Sequence, residues 1–267
     1  MKRSSSMLSV LLISISFCSH LLAADPAAEK RLADMKQRVT ELALTGTDAK
    51  FSMEPLLRFT DPTRRLQDAT LWKLGEKGRP KAILVLEKYS YHRYPSYELT
   101  VTSNAPPKSV STDAFHWRPD RETIEWKTLK SPTPPSTRKL SRGSQMKQIA
   151  REFSVSEKFE GQTYQLRMLP KPLLRYEDEK ADLVDGSIFV FSHGTNPELL
   201  LLVEAHQSKD DKLTWKAGFA RLGGAEFDVN YNRAPFQHIA QYVGRIRTYF
   251  HRHGGPLKST AKYATSN

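Results

Sequence analysis

One stretch of 33 residues occurs twice in this chain. PLLRFTDPTRRLQDATLWKLGEKGRPKAILVLE (residues 55–87) aligns without a gap on PLLRYEDEKADLVDGSIFVFSHGTNPELLLLVE (residues 172–204), at a constant offset of 117. Ten of the 33 positions are identical, where average composition gives about two. They are Pro55/Pro172, Leu56/Leu173, Leu57/Leu174, Arg58/Arg175, Asp61/Asp178, Leu66/Leu183, Asp68/Asp185, Pro80/Pro197, Leu84/Leu201 and Glu87/Glu204. Strand side chains alternate between faces, so a slip of one residue would turn every side chain over. A gapless match therefore demands matched surroundings, and the chain is predicted to build one unit twice.

What flanks the two copies agrees with this. Ahead of the first, residues 25–44 place Leu32, Met35, Val39 and Leu42 at helical spacing, with Asp25 and Pro26 as cap and first-turn residue. Ahead of the second, residues 144–159 place Met146, Ile149, Ala150 and Phe153 at the same spacing. Each copy reads as a strand pair, the second as a hairpin whose loop is residues 193–198. A third strand is expected at 97–103 and 214–221, and a weaker fourth at 123–128 and 225–230. The fold class expected is α+β: two tandem helix-plus-antiparallel-meander units, an internal duplication able to pack as one pseudo-symmetric body. The boundaries are 25–129 for the first unit, 130–143 for a Pro/Ser-rich basic linker, 144–232 for the second unit and 233–267 for a basic C-terminal segment. In that last segment Phe236, Ile239, Val243, Ile246 and Phe250 fit a helical face, while Gly244 and residues 246–250 fit a strand; both readings stay open.

Residues 1–24 read as a signal peptide: Lys2 and Arg3, an apolar run over 8–17, and Leu22-Ala23-Ala24 before the polar Asp25. The run is too short for a transmembrane helix of roughly 20 apolar residues, and no later stretch is long enough. The expectation is export to the periplasm or beyond, with no transmembrane segment in the mature chain. Lipidation through Cys18 is disfavoured by Phe17 immediately before it. Cys18 is the single cysteine, so the mature chain is expected to lack disulfides, thiol chemistry and thiolate metal sites.

Lys and Arg number 41 against 29 Asp and Glu, and the excess is uneven. After Asp228 there is no carboxylate, while Arg233, Arg245, Arg247, Arg252, Lys258 and Lys262 follow. These six are the candidate contacts for an anionic partner, a glycan or lipid head group for an exported protein, with nucleic acid disfavoured. The plainer reading is a solvated basic face.

The polar residues shared by both copies invite two readings. In the first, Arg58 pairs with Glu87 and Arg175 with Glu204, structural ion pairs that lock each hairpin, since a buried carboxylate needs a partner and the guanidinium fork fits it. In the second, Asp68 or Asp185 works with a glutamate as acid and base in a cleft. A metal on Glu204, His206 and His193 is disfavoured, because the two histidines stand at opposite ends of a strand whose seven residues span roughly 23 Å. No metal and no cofactor is predicted. His251 and His253 share a strand face without a nearby carboxylate. Gly-x-Ser-x-Gly, phosphate-binding glycine loops and His-Glu-x-x-His are all missing, and Gly223-Gly224 reads as a turn.

The segments FTDPTRRLQDATLWKLGEKGRPKAILVLE, LVDGSIFVFSHGTNPELLLLVEA and GFARLGG resemble those of a group of uncharacterised exported bacterial proteins, over most of the mature chain. The resemblance implies export and one shared architecture, and transfers no catalytic residue. A helix followed by a meander is also similar in outline to cystatin-like α+β folds, a likeness of topology from which function does not follow. The function expected is an exported non-catalytic binding or structural module that meets an anionic envelope component. The alternative is a carboxylate-dependent hydrolase of glycans or esters, working in a cleft between the two units.

Overall fold

Both copies of the repeated stretch form strands of large antiparallel sheets in the computed structural model, which describes residues 25–120, 124–130, 133–178, 182–208, 210, 212–244 and 248–257. The first sheet runs, in spatial order, Tyr249–His253, Ser96–Val101, Ala82–Tyr89, Leu66–Leu74 and Leu57–Asp61. The second runs Arg167–Met168, Leu183–His193, Asn196–Gln207, Leu213–Arg221 and Lys127–Thr128, and Leu174–Asp178 also pairs with Leu183–His193. With two α-helices, Pro26–Thr40 and Lys139–Arg151, the described chain is mixed and dominated by antiparallel strands, in keeping with an α+β or mostly-β class.

Strand register repeats at the sequence offset. Arg58 lies opposite Thr70, Thr70 opposite Leu86, and Ala69 opposite Glu87. Arg175 lies opposite Ser187, Ser187 opposite Val203, and Gly186 opposite Glu204. The register shift between Phe59 and Asp61 recurs between Tyr176 and Asp178. Arg65 and Asp182, also 117 apart, both take a left-handed backbone, with φ of 59° and 54°.

Alternation sends each sheet's two faces to different neighbours. On one face of the first sheet, Trp72, Leu84, Leu86 and Leu99 pack with Met35 and Val39 of the first helix and with Val110 and Trp117 of a small sheet made of Ala43–Thr45, Ser109–Ser111 and His116–Trp117. On the corresponding face of the second sheet, Phe189, Leu201 and Val203 pack with Met146 and Ile149 of the second helix and with Val155 and Phe227 of a four-stranded sheet. The remaining faces meet each other: Leu71, Ile83 and Val85 pack against Ile188, Val190, Leu200 and Leu202. The space between the two central sheets is the layer in which the site lies.

Several expectations change. Asp25 caps the first helix as expected, its side chain accepting from the Ala27 N–H. The second helix, however, begins at Lys139, inside the expected linker, and ends at Arg151. Residues expected to extend it form the strand Phe153–Phe159, because Phe153, Val155 and Glu157 are buried alternately, a period of two. Among its described residues the C-terminal segment contributes two strands and no helix: Ala234–Ile239 joins the four-stranded sheet, and Tyr249–His253 returns to the edge of the first sheet. Lys127–Thr128 crosses the other way, onto the second sheet. The expected hairpin loop of residues 193–198 is only Gly194 and Thr195. Among the described residues no helix is long and apolar enough to cross a membrane. The expected signal peptide, residues 1–24, lies outside the described residues, as do Arg245, Arg247, Lys258 and Lys262.

Candidate functional site

Arg58 does not meet Glu87, nor Arg175 Glu204. Arg58 lies across the sheet from Thr70 and Leu86, so it shares their face, whereas Glu87 points to the opposite one. Each arginine grips an aspartate instead. Arg58 donates from Nε to Asp68 Oδ1 at 2.9 Å and from Nη2 to Oδ2 at 2.7 Å. Arg175 repeats this on Asp185 at 2.8 and 2.5 Å. A second arginine reaches each aspartate from the helix, Arg31 at 3.3 Å and Arg142 at 2.9 Å. Helix carbonyls complete the clamp, Ala28 for Arg58 and Lys139 for Arg175. Two guanidinium groups on one buried carboxylate neutralise it and tie helix to sheet.

The two repeated glutamates stand between the sheets, in unlike surroundings. Glu204, fully buried, takes both prongs of Arg79 at 2.6 and 2.5 Å, the Tyr176 hydroxyl at 2.6 Å and His206 Nε2 at 2.7 Å. Arg79 in turn lies 4.5 Å from the centre of the Trp126 ring. Burial alone would raise the Glu204 pKa, but His206, Arg79 and Tyr176 more than offset it and hold the carboxyl below its usual range. Tyr176 packs directly over Gly186, where a Cβ would fall 2.6 Å from its ring.

Glu87 lines a cavity of about 510 Å³ together with Glu98, Glu157, Glu198, Arg64 and Asn196. Tyr89, Tyr91, Tyr242 and Tyr249 add aromatic wall, and His251, exposed overall, adds an imidazole whose desolvation against the cavity wall, with His253 and His92 nearby, lowers its pKa. Among the described residues, the one hydrogen bond reaching the Glu87 carboxyl comes from the Tyr89 hydroxyl, at 3.2 Å. Burial pushes Glu87 up to about 7. Burial likewise takes Glu198 to about 7, helped by the Glu157 charge and opposed by Arg64. Glu98 is raised well above the carboxylate range by burial and by the charges of Glu87 and Glu198, with the Tyr249 hydroxyl opposing.

Across the cavity, Arg64 donates to Glu198 Oε1 at 2.6 Å and lies 3.0 Å from His193 Nδ1, which is itself 2.8 Å from Glu157 Oε2. Asn196 donates to Glu198 Oε1 at 2.8 Å, and among the described residues its own buried Oδ1 meets no partner. Gly223, read from sequence as turn, makes room for this group: a Cβ there would stand 2.1 Å from Glu198 Oε2. The cavity thus holds two carboxyl groups raised to about 7, a third raised well above the carboxylate range, and one cation. Such a set suits acid–base work or the binding of a hydroxyl-rich ligand.

His193 and His206 do lie at opposite ends of their strand pair, one on Glu157 and the other on Glu204. The one grouping of metal-ligand type among the described residues is Glu226, Asp228 and His238. The Lys158 ammonium already sits 2.7 and 2.9 Å from the two carboxylates, supplying the cation. Of the six basic residues proposed for an anionic partner, Arg233 and Arg252 are described, and both are exposed. Glu98, Glu157, Glu198 and Arg64 are not legible as a group in the sequence, because they converge only when the two central sheets stack and the four-stranded sheet packs beside them. Comparison with protein-family models, curated proteins and solved structures returns no match.

Proposed function

We propose that this protein is an exported, carboxylate-dependent hydrolase of glycans, built from two copies of one helix-plus-meander unit, with its cleft at the Glu87 end of the layer between them. The observation that carries the reading is the raised pKa of Glu87, Glu98 and Glu198 on the wall of one tyrosine-lined cavity. Glu98, held protonated, is the proton donor to a leaving oxygen. Glu198, whose charge is supported by Arg64 and Asn196, is the base or nucleophile, and Glu87 tunes both through its own charge. Two carboxyl groups in unlike protonation states are what glycoside hydrolysis requires. Amphipathic tyrosine rings suit the apolar faces and hydroxyl edges of sugars. The duplication is supported by the shared register and the paired arginine–aspartate clamps; export is supported by residues 1–24, and mass measurement on the protein from its native host should find a chain beginning near Asp25.

The test is release of reducing ends from a panel of soluble and cell-wall glycans, with aryl esters alongside. Turnover should follow a bell-shaped pH profile with a limb near 7, and Glu98→Gln and Glu198→Gln should each lower kcat by about 10²–10⁴-fold. Turnover of esters alone would replace glycans as the substrate class. Turnover that survives both substitutions, or none by the native protein, would discard the reading.

A further inference from the structure

Glu87 and Lys88 are neighbours on one strand and therefore point to opposite faces of the first sheet. Lys88 faces a second cavity, of about 470 Å³, between the first helix and the segment that follows Tyr89. Its lining includes five cations, Lys30, Arg31, Arg38, Lys88 and Arg93, and one carboxylate, Asp34. Two cations are committed: Arg38 to Asp34 at 2.8 Å, and Arg31 to Asp68 and Asp25 at 3.3 and 3.7 Å. Among the described residues Lys88 Nζ meets only neutral groups, the carbonyls of Tyr89, at 2.9 Å, and His92. Among the described residues Lys30 and Arg93 make no ion pair. Burial, with Arg31 and Arg38 close by and only Asp34 opposing, lowers the Lys88 pKa, consistent with an excess of positive charge there.

The second unit lacks this excess. The clamp residues of the helices lie 111 apart, Arg31 and Arg142, and so do the buried Met35 and Met146. At that spacing Lys30 corresponds to Ser141, Asp34 to Gln145 and Arg38 to Ile149, and at the strand offset of 117 Lys88 corresponds to Ala205. The one cation of these four that recurs, Arg31, is the one that holds the shared aspartate. The others serve nothing the architecture requires twice.

We propose that this cavity binds a phosphate group carried on an apolar body. Lys30, Lys88 and Arg93 offer donors enough for the several oxygens of a phosphate, more than one carboxylate can take. Met35, Tyr94, Pro95 and Leu257 on the wall suit an aryl or alkyl substituent. The phosphate belongs either to a free monoester or to a lipid head group.

Calorimetric titration of the full mature chain with phenyl phosphate should show saturable binding, tighter than with inorganic phosphate and weaker in salt. The doubly exposed change Lys30→Gln with Arg93→Gln should weaken it about tenfold or more, each lost charge-assisted bond contributing, with unchanged thermal unfolding. Lys88→Gln should do the same. Cosedimentation with phosphatidylglycerol vesicles, but not phosphatidylcholine vesicles, would identify a lipid source; binding of phenyl phosphate alone would identify a free ester. No saturable binding of either probe, or binding indifferent to both sets of substitutions, would overturn the proposal.

Discussion

The two ends of the layer between the central sheets carry the same glutamate and treat it in opposite ways. At one end Glu204 is surrounded by Arg79, Tyr176 and His206, and every acceptor position is used. At the other, Glu87 stands at the equivalent position of the first copy, and the offset of 117 shows what has changed. Arg79 is matched by Asn196, Tyr176 by Phe59 and His206 by Tyr89. Guanidinium, phenol and imidazole are replaced by an amide, a hydrocarbon ring and a single weak hydroxyl contact. Glu98 and Glu198 then add two further carboxyl groups at this end, where the one cation on the cavity wall, Arg64, is bonded to Glu198 and not to Glu87. One backbone plan therefore supports a satisfied carboxylate at one end and strained, proton-holding carboxyls at the other. That difference is why the proposed hydrolysis is placed at the Glu87 end, since an arrangement that costs stability persists where it has a use.

The sharpest way to break this comparison is to remove each glutamate's charge in turn. Glu204→Gln leaves the Arg79 guanidinium inside without its counter-charge, and loss of one member of a buried pair typically costs about 3–5 kcal/mol. Chemical denaturation at pH 7 should show a loss of that order. Arg79→Met combined with Glu204→Leu should recover much of it. A Glu204→Gln protein as stable as the parent would mean that the pair contributes nothing and that the two ends are not different in kind.

Glu87→Gln should act in the opposite direction, and only above a certain pH. The folded pKa of Glu87, about 7, lies above the ordinary value of 4.5, so the folded state holds this proton more tightly than the unfolded chain. Below about pH 4.5 both states are protonated and the group makes no difference. As pH rises toward 7 and beyond, ionisation favours the unfolded chain, and the native protein loses up to about 3 kcal/mol. Glutamine removes that loss. The variant should therefore match the parent at pH 4 and exceed it at pH 8, in urea titrations at the two values. Equal destabilisation at both pH values would show that Glu87 is an ordinary structural residue.

Much of this fold was legible in the sequence, and the limits have physical causes. Apolar alternation and a gapless repeat were enough for the hairpins, because register and face follow from parity. Parity also held the correct partner for Arg58: a residue opposite Thr70 shares a face with Asp68, Thr70 and Leu86, and Glu87 is out by one. The pairing was assigned by chemical type where face decided it. Phe153–Phe159 departs from the helix expected there because Phe153 fits the preceding helical spacing as well as the strand's own period of two. The cavity was not legible at all. Arg64, Glu98, Glu157 and Glu198 come from four separate segments, and only the packing of the two central sheets and the four-stranded sheet, which no local pattern specifies, brings them to a common wall. What the sequence did contain was the exchange of Arg79 for Asn196 within a repeat that otherwise kept its carboxylate.

That exchange offers the finest test of the comparison. Asn196→Arg restores at the Glu87 end the residue type that neutralises Glu204, at the matching position and on the same cavity wall as Glu87. A guanidinium within a few ångström of a carboxylate lowers its pKa by about one to three units, so Glu87 should fall from about 7 by one unit or more. That is a gain of about 1.4 kcal/mol per unit for the charged form. Glu98 should follow part of the way, because one of the charges that raises it would now be neutralised. Carbon-13 NMR of the glutamate carboxyl groups across pH 4–9 resolves each titration separately. The new arginine has a competing partner, since Asn196 already donates to Glu198, and the spectra distinguish the cases. If Glu87 falls, the open end is the closed end with its arginine withdrawn, and the proposed hydrolysis should be lost with the raised pKa. If Glu198 falls alone, the two ends are not counterparts in their chemistry, and the likeness between Glu87 and Glu204 stops at the backbone.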